Sequence, residues 1–160
     1  MVKGYEIGVM QGRLLPKYQG RYQAHPIGYW QKEFSIAKDL GLDLIEFILD
    51  YNDYQDNPLL NDKGIDEIKA LMDATRVKVK TICADYFMEA PFHNSTTAGI
   101  ALSQEILKKL IINGAVLGVT DIVVPCVDQS SLANNPVYLE EFISNTTRSL
   151  QLAEEKGVNI

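Results

Sequence analysis

In four places, side chains able to do chemistry follow or interrupt an apolar, β-branched-rich run of this 160-residue chain. Gln11, Gly12 and Arg13 come after Tyr5–Met10, and Glu46 stands inside "LIEFIL". Cys83, Asp85, Tyr86 and Glu89 end the run that begins at Val77, and Cys126, Asp128 and Gln129 end the one that begins at Asp121. A guanidinium behind a glycine, as in "QGR", can hold a carboxylate, a phosphate or a pair of sugar hydroxyls at close range, or else close a salt bridge with a loop carboxylate. Glu46 interrupts a segment in which an unpaired carboxylate would be costly, so it must face water or a cation. Arg13 is the nearest cation by chain topology, which leaves a Glu46–Arg13 pair and a ligand contact as the two readings. Asp85 can accept a proton or a hydrogen bond, or cap a helix or turn.

Cys83 and Cys126 read as buried reduced thiols, and Cys126 has no histidine close in sequence that would make it a nucleophile. His93, before "NSTTAG", reads as a surface or capping residue. His25 lies in a long, Tyr-rich loop from Leu15 to Trp30 that is expected to fold over a site as a lid. The candidate binding residues are Gln11, Arg13, Glu46, Cys83, Asp85, Tyr86, Cys126 and Asp128. No C-x-x-C or His-x-x-x-His spacing writes a metal site locally.

The elements that must position these groups repeat. Tyr5–Met10, Asp43–Leu49, Val77–Cys83 and Asp121–Val127 read as strands, nearly continuous in apolar character and so expected to be buried on both faces of a parallel sheet. Between them lie helical stripes: Trp30, Phe34, Ala37, Leu40; then Ile65, Ile68, Met72; then Leu102, Ile106, Leu110. The last stripe is Leu139, Phe142 or Ile143, Thr146, Leu150 and Ala153. Ile7, Leu44, Val79, Ile122 and Val158 recur at intervals of 37, 35, 43 and 36 residues. The joints "DLGLDLIEF", "VLGVTDIVV" and "EEKGVNI" each place a glycine and an apolar residue between a helix end and a strand. A first turn with a single glycine, "MQGRLLP", lacks the G-x-G-x-x-G of a doubly wound dinucleotide fold. The expected fold is therefore α/β: the first four βα units, with the start of a fifth, of a (βα)8 barrel, with residues 1–160 forming the N-terminal half of a single domain and the second half lying beyond them. Strands one to four should then be parallel and adjacent in sequential order, and reactive groups should gather at their C-terminal ends.

Composition bounds the partners. Hydrophobic content of 46% and charged content of 22% describe an ordinary globular domain. No apolar run is long enough for a membrane span, and the first residues contain no signal-peptide core, so the expected compartment is the cytoplasm. A net charge of −6 and a pI near 4.9 speak against a nucleic-acid backbone as the main partner.

Taken together, "IGVMQGRLLP", "EFSIAKDLGLDLIEF", "TICADYFM" and "GVTDIVVPCVD" resemble the sugar phosphate isomerase/epimerase proteins of the xylose-isomerase-like TIM-barrel superfamily over essentially the whole chain. The combination carries the resemblance; no one stretch does. It implies a protein that moves a proton next to the carbonyl of a sugar or sugar phosphate with help from a divalent metal (Mg, Mn, Co or Zn). It also implies that the metal ligands, a Glu on strand five and Asp, His and Glu on strands six to eight, lie after Ile160. The eight candidate residues then correspond to pocket wall, no catalytic residue carries over, and the 160 residues alone are expected to be inactive. Two alternatives stand beside this: a non-catalytic half barrel that self-associates to cover its edges, and an abasic-site endonuclease. The acidic pI and the absence of a histidine after strand three at the position that Cys83–Asp85 occupy count against the nuclease.

Overall fold

The computed structural model describes residues 4–160, so the leader reading at Met1, Val2 and Lys3 falls outside it. Strands β1 (Gly8–Met10), β2 (Leu44–Ile48), β3 (Lys78–Cys83) and β4 (Asp121–Val123) form one sheet in the order β1-β2-β3-β4, every neighbouring pair parallel. Between and after them run helices α1 (Lys32–Asp39), α2 (Asp62–Thr75), the single turn α3 (Tyr86–Glu89), α4 (Thr97–Leu117) and α5 (Pro136–Lys156). This is the arrangement of four successive units of a (βα)8 barrel, as the repeat predicts. The fifth unit has begun as well: Val158 is buried, and Asn159 pairs in parallel with Asp121.

The joints named from sequence have one backbone solution. At each, the glycine N–H donates to the carbonyl three residues back and the next N–H to the carbonyl five back: Gly41 and Leu42 to Lys38 and Ala37, Gly118 and Val119 to Ala115 and Gly114, Gly157 and Val158 to Glu154 and Ala153. The left-handed glycine closes the helix, and the apolar residue after it drops into the core.

The helix-facing side of the sheet is the core. Ile45, Phe47, Val79, Ile82 and Ile122 pack there with Trp30, Phe34, Ile68, Leu107 and Leu110, all at or below 4% exposure. Each such large side chain contributes on the order of 1.5–3 kcal/mol by leaving water. Side chains alternate faces along a strand and registered neighbours share one, so Met10 and Glu46, and further along Ile48, Cys83 and Val123, point to the other side. One residue is added to β3 between the pairs Ile45–Val79 and Phe47–Ile82, which keeps both pairs on the core side despite the slip.

Three expectations are corrected. The strands are not buried on both faces: Val123 is 46% exposed, because no strand among the described residues lies across the inner face. The outer strands are shorter than read, β1 beginning at Gly8 and β4 stopping at Val123, two residues before Pro125, which has no N–H for a ladder. In the helical stripes, Leu40, Leu102, Leu139, Ile143 and Leu150 are exposed, while Ala153 and Thr146 carry the burial of α5.

Candidate functional site

Where the strands end, the chain forms a cleft of about 760 Å³. Its floor and walls come from three successive βα loops: Asp50, Tyr51 and Asn52 after β2; Cys83, Asp85, Met88 and Glu89 at and after β3; Pro125 and Val127 after β4. Arg21 and Gln23 reach in from the long loop that follows β1.

That loop is fastened by carboxylates. Residues Tyr18 and Arg21 form a two-residue hairpin with Gln19 and Gly20 both at positive φ, the geometry of a tight primed turn. At its base, Asp50 accepts from the Arg21 guanidinium at 3.0 Å through Oδ1 and from the His25 N–H at 2.8 Å through Oδ2. Glu33, at the start of α1 and fully buried, accepts from the N–H groups of Gly12 (2.8 Å) and Leu14 (3.1 Å). Burial raises the Glu33 carboxyl above its ordinary pKa, and those two N–H donors oppose the rise. The loop expected as a lid is therefore a fixed wall of the cleft, and its two polar arms are presented rather than free.

Below the wall, Gln11 is 1% exposed; its Oε1 accepts from Ile48 N at 3.1 Å and meets His25 Nδ1 at 3.1 Å. The His25 ring sits between Trp30 and Phe47, and burial drives its pKa down to about 3. Nε2 of His25 and Nε2 of Gln11 are buried without a hydrogen-bond partner. Gln11 thus ties β1 to β2 and to the loop, beneath the cleft rather than in it.

On the cleft side, Cys83 Sγ donates to Asp85 Oδ1 at 3.1 Å, and Gln23 Nε2 approaches Asp85 Oδ2 at 3.5 Å. Arg13 Nη2 donates to Gln23 Oε1 at 3.2 Å, which extends the chain of contacts to an exposed guanidinium at the rim. Burial, the hydrogen bond to Asp85 and the negative charges of Asp85, Glu46 and Asp50 all push the Cys83 thiol up, so it stays protonated and serves as a donor. The influence of Glu46 on that thiol agrees with the register that sets both on the inner face.

Of the eight candidate residues, then, Cys83 and Asp85 line the cleft; Glu46 lies on the inner face near Cys83, Gln11 beneath, and Arg13 at the rim through Gln23. The Glu46–Arg13 pair does not form: the ion pairs among the described residues are Arg21–Asp50 and Lys78–Glu6, and Arg13 is drawn instead to the loop amide of Gln23. Tyr86 turns away because it opens α3; its ring is 1% exposed against Tyr54 and Phe87, and burial pushes the phenol up to about 12. Cys126 points behind the cleft, with Sγ 3.7 Å from the Val124 carbonyl, since its neighbours Pro125 and Val127 take the cleft-facing positions. Asp128 is exposed at φ +50, starting a 3-10 turn whose Ser131 N–H it accepts. His93 is not at the surface; it is 2% exposed beside Tyr138 and Phe142.

Sequence reasoning missed Arg21, Gln23, Asp50, Tyr51 and Asn52. "DYN" directly after "LIEFIL" was findable from the rule that reactive groups follow strand ends. Arg21 and Gln23 had only the turn "YQGRY" to mark them, and nothing local says that this hairpin folds back over β2.

The divalent metal implied by the resemblance does not fit these residues. Among the described residues no three His, Cys, Asp or Glu side chains come together as ligands. Asp50 already uses both oxygens, and those of Asp85 face Cys83 and Gln23. No helix among the described residues is long and apolar enough to cross a membrane.

No curated protein matches the chain. Among solved structures, a D-psicose 3-epimerase from Clostridium cellulolyticum H10, solved with D-tagatose, superposes at a TM-score of 0.68 and 14% identity over 96% of this chain and 50% of that one. The likeness is one of fold, and the chain spans half the length of that protein. The family model described as xylose isomerase-like TIM barrel matches residues 34–160, from the first turn of α1 through the fifth strand position, and the chain belongs to that family.

Proposed function

We propose that this chain builds the sugar-binding wall of an isomerase or epimerase that moves a proton next to the carbonyl of a polyhydroxylated substrate. The observation that carries the reading is the cleft itself. It lies at the C-terminal ends of β2, β3 and β4, the end at which enzymes of this architecture work, and it converges acceptors and donors of hydroxyl size from four loops. Family membership and the fold likeness to a sugar epimerase support the same assignment.

The chemistry available to these residues is binding and orientation. Asp85, held by the Cys83 thiol, accepts from a substrate hydroxyl; Gln23 and Asn52 can donate and accept; Tyr51 offers an exposed ring face beside them. Locked rotamers at such positions align the reacting carbon with less entropy left to lose on binding. No step is assigned to a metal, because the residues present do not form a site for one.

The test is ligand-observed NMR with a free ketohexose against the 160-residue chain and against Asp85→Ala. Saturable binding that Asp85→Ala abolishes without lowering the melting temperature supports the assignment. Binding that survives Asp85→Ala unchanged places the sugar elsewhere and overturns it.

A further inference from the structure

The charge and donor pattern of the cleft says more about its ligand than the fold does. Three carboxylates, Asp50, Asp85 and Glu89, line it against a single guanidinium, Arg21. That guanidinium is already engaged by Asp50 at 3.0 Å, so the pair offers an incoming anion little net attraction. Asp85 and Glu89 form no ion pair among the described residues: their partners are the Cys83 thiol and the Gln23 amide for Asp85 and the Gln129 amide for Glu89, all neutral, so both charges remain uncompensated.

Backbone donors offer no substitute. Helix N-termini hold phosphate in many folds through their free N–H groups and the positive end of the dipole. At the cleft itself the first N–H groups of α3 are already used, Tyr86 by the Leu49 carbonyl, Phe87 by that of Ala84 and Met88 by that of Asp85. The starts of α2, α4 and α5 carry side-chain caps, Asn61 accepting from Gly64 N at 2.8 Å, Thr96 from Gly99 N at 3.1 Å and Asn135 from Tyr138 N at 3.2 Å. The remaining lining suits a neutral sugar. Tyr51 is 47% exposed with its ring braced 5.4 Å from that of Tyr86, a platform for the C–H face of a polyol, and the carboxylates and amides around it match hydroxyl donors.

We propose that this cleft takes an uncharged polyhydroxylated carbonyl compound and rejects the phosphorylated form of the same compound. The sequence resemblance names both sugars and sugar phosphates; the charge pattern separates them. The inference rests on the sugar-site reading above and narrows it.

The experiment compares D-fructose, D-fructose 6-phosphate and inorganic phosphate as ligands of the 160-residue chain by ligand-observed NMR competition, in low and in high salt. The expected result is that the free ketose binds, the phosphate ester binds at least about tenfold more weakly, and inorganic phosphate does not compete. Like-charge repulsion at a partly solvated site is screened by salt, so the gap narrows at high ionic strength. It narrows also in Glu89→Gln, an exposed position whose replacement removes one of the two uncompensated charges without touching the core. Equal or tighter binding of the phosphate ester overturns the proposal while leaving the sugar site in place. A gap that neither salt nor Glu89→Gln reduces overturns its electrostatic basis. Binding of neither sugar overturns the sugar site and this inference together.

Discussion

Asp50 joins the end of β2 to the tip and the base of the loop before α1: one oxygen accepts from the Arg21 guanidinium and the other from the His25 backbone, at 3.0 and 2.8 Å. A 6%-exposed carboxylate with both oxygens committed is a fastening point, and its loss would leave a buried N–H and a loosened cation. Asp50→Ala is therefore expected to lower stability by roughly 2–3 kcal/mol in urea denaturation. Amide exchange should speed up over residues 18–25 more than in the core strands. Unchanged exchange in that segment would show that the loop is held by something else.

Gly12 lies at φ +86, where an added Cβ would sit 2.3 Å from the Tyr22 carbonyl oxygen and 2.6 Å from that of Ala24. Gly20 has nearly the same φ, +82, with nothing within 4 Å. Gly20→Ala is expected to cost only the left-handed strain, about 1 kcal/mol, whereas Gly12→Ala must also move backbone and should cost about 2 kcal/mol or more. Denaturation midpoints of the two variants check the order; equal losses would mean that the loop yields freely over Gly12.

His25 is buried in its neutral form between Trp30 and Phe47, with Gln11 at Nδ1 and the Asp50 carboxylate on its backbone N–H. Its folded pKa, about 3, lies below the ordinary 6.5, so the unfolded chain binds the proton first. The stability this contributes is present above about pH 6.5 and is lost as pH falls toward 3. His93, lowered by burial, acts in the same sense; Glu33, raised by burial, acts in the opposite one. The wild-type chain should lose several kcal/mol of stability over that window, and His25→Gln should flatten the slope by about one proton. A slope that His25→Gln leaves unchanged would assign the acid sensitivity to other groups.

Mg, Mn or Co ions should not stabilise this chain. Hard divalent cations need several oxygen ligands gathered together, and among the described residues no three His, Cys, Asp or Glu side chains come close enough to hold one. A binding ion raises stability by mass action, so thermal melts at rising metal concentration read the question directly. A rise of several degrees would reveal a ligand set that the present side-chain positions do not show.

What was legible in the sequence is what repeats. The interval between apolar runs and the glycine-plus-apolar joints are local signals, and they led to parallel strands in sequential order because a βα unit has essentially one handedness of crossover. Cys83 and Asp85 follow from position alone, Cys83 as the last residue of β3 and Asp85 in the loop that follows it, and both line the cleft. The same rule points to Cys126, but β4 stops at Val123, and in the loop beyond it Pro125 and Val127, not Cys126, line the cleft.

The sequence by itself determined the architecture, which follows from periods of 2 and 3.6 residues and from the left-handed glycines at the joints, and the barrel architecture pointed to the strand ends where the cleft lies. Only the tertiary structure decided the partners. Arg13 went to Gln23 rather than Glu46, Asp50 became the fastening of the loop, and Arg21 entered the cleft, because a hairpin from residues 18–21 folds across β2 to carboxylates about 30 positions away in the chain. Which charge meets which across such a distance depends on how the loop packs, and no local spacing encodes it.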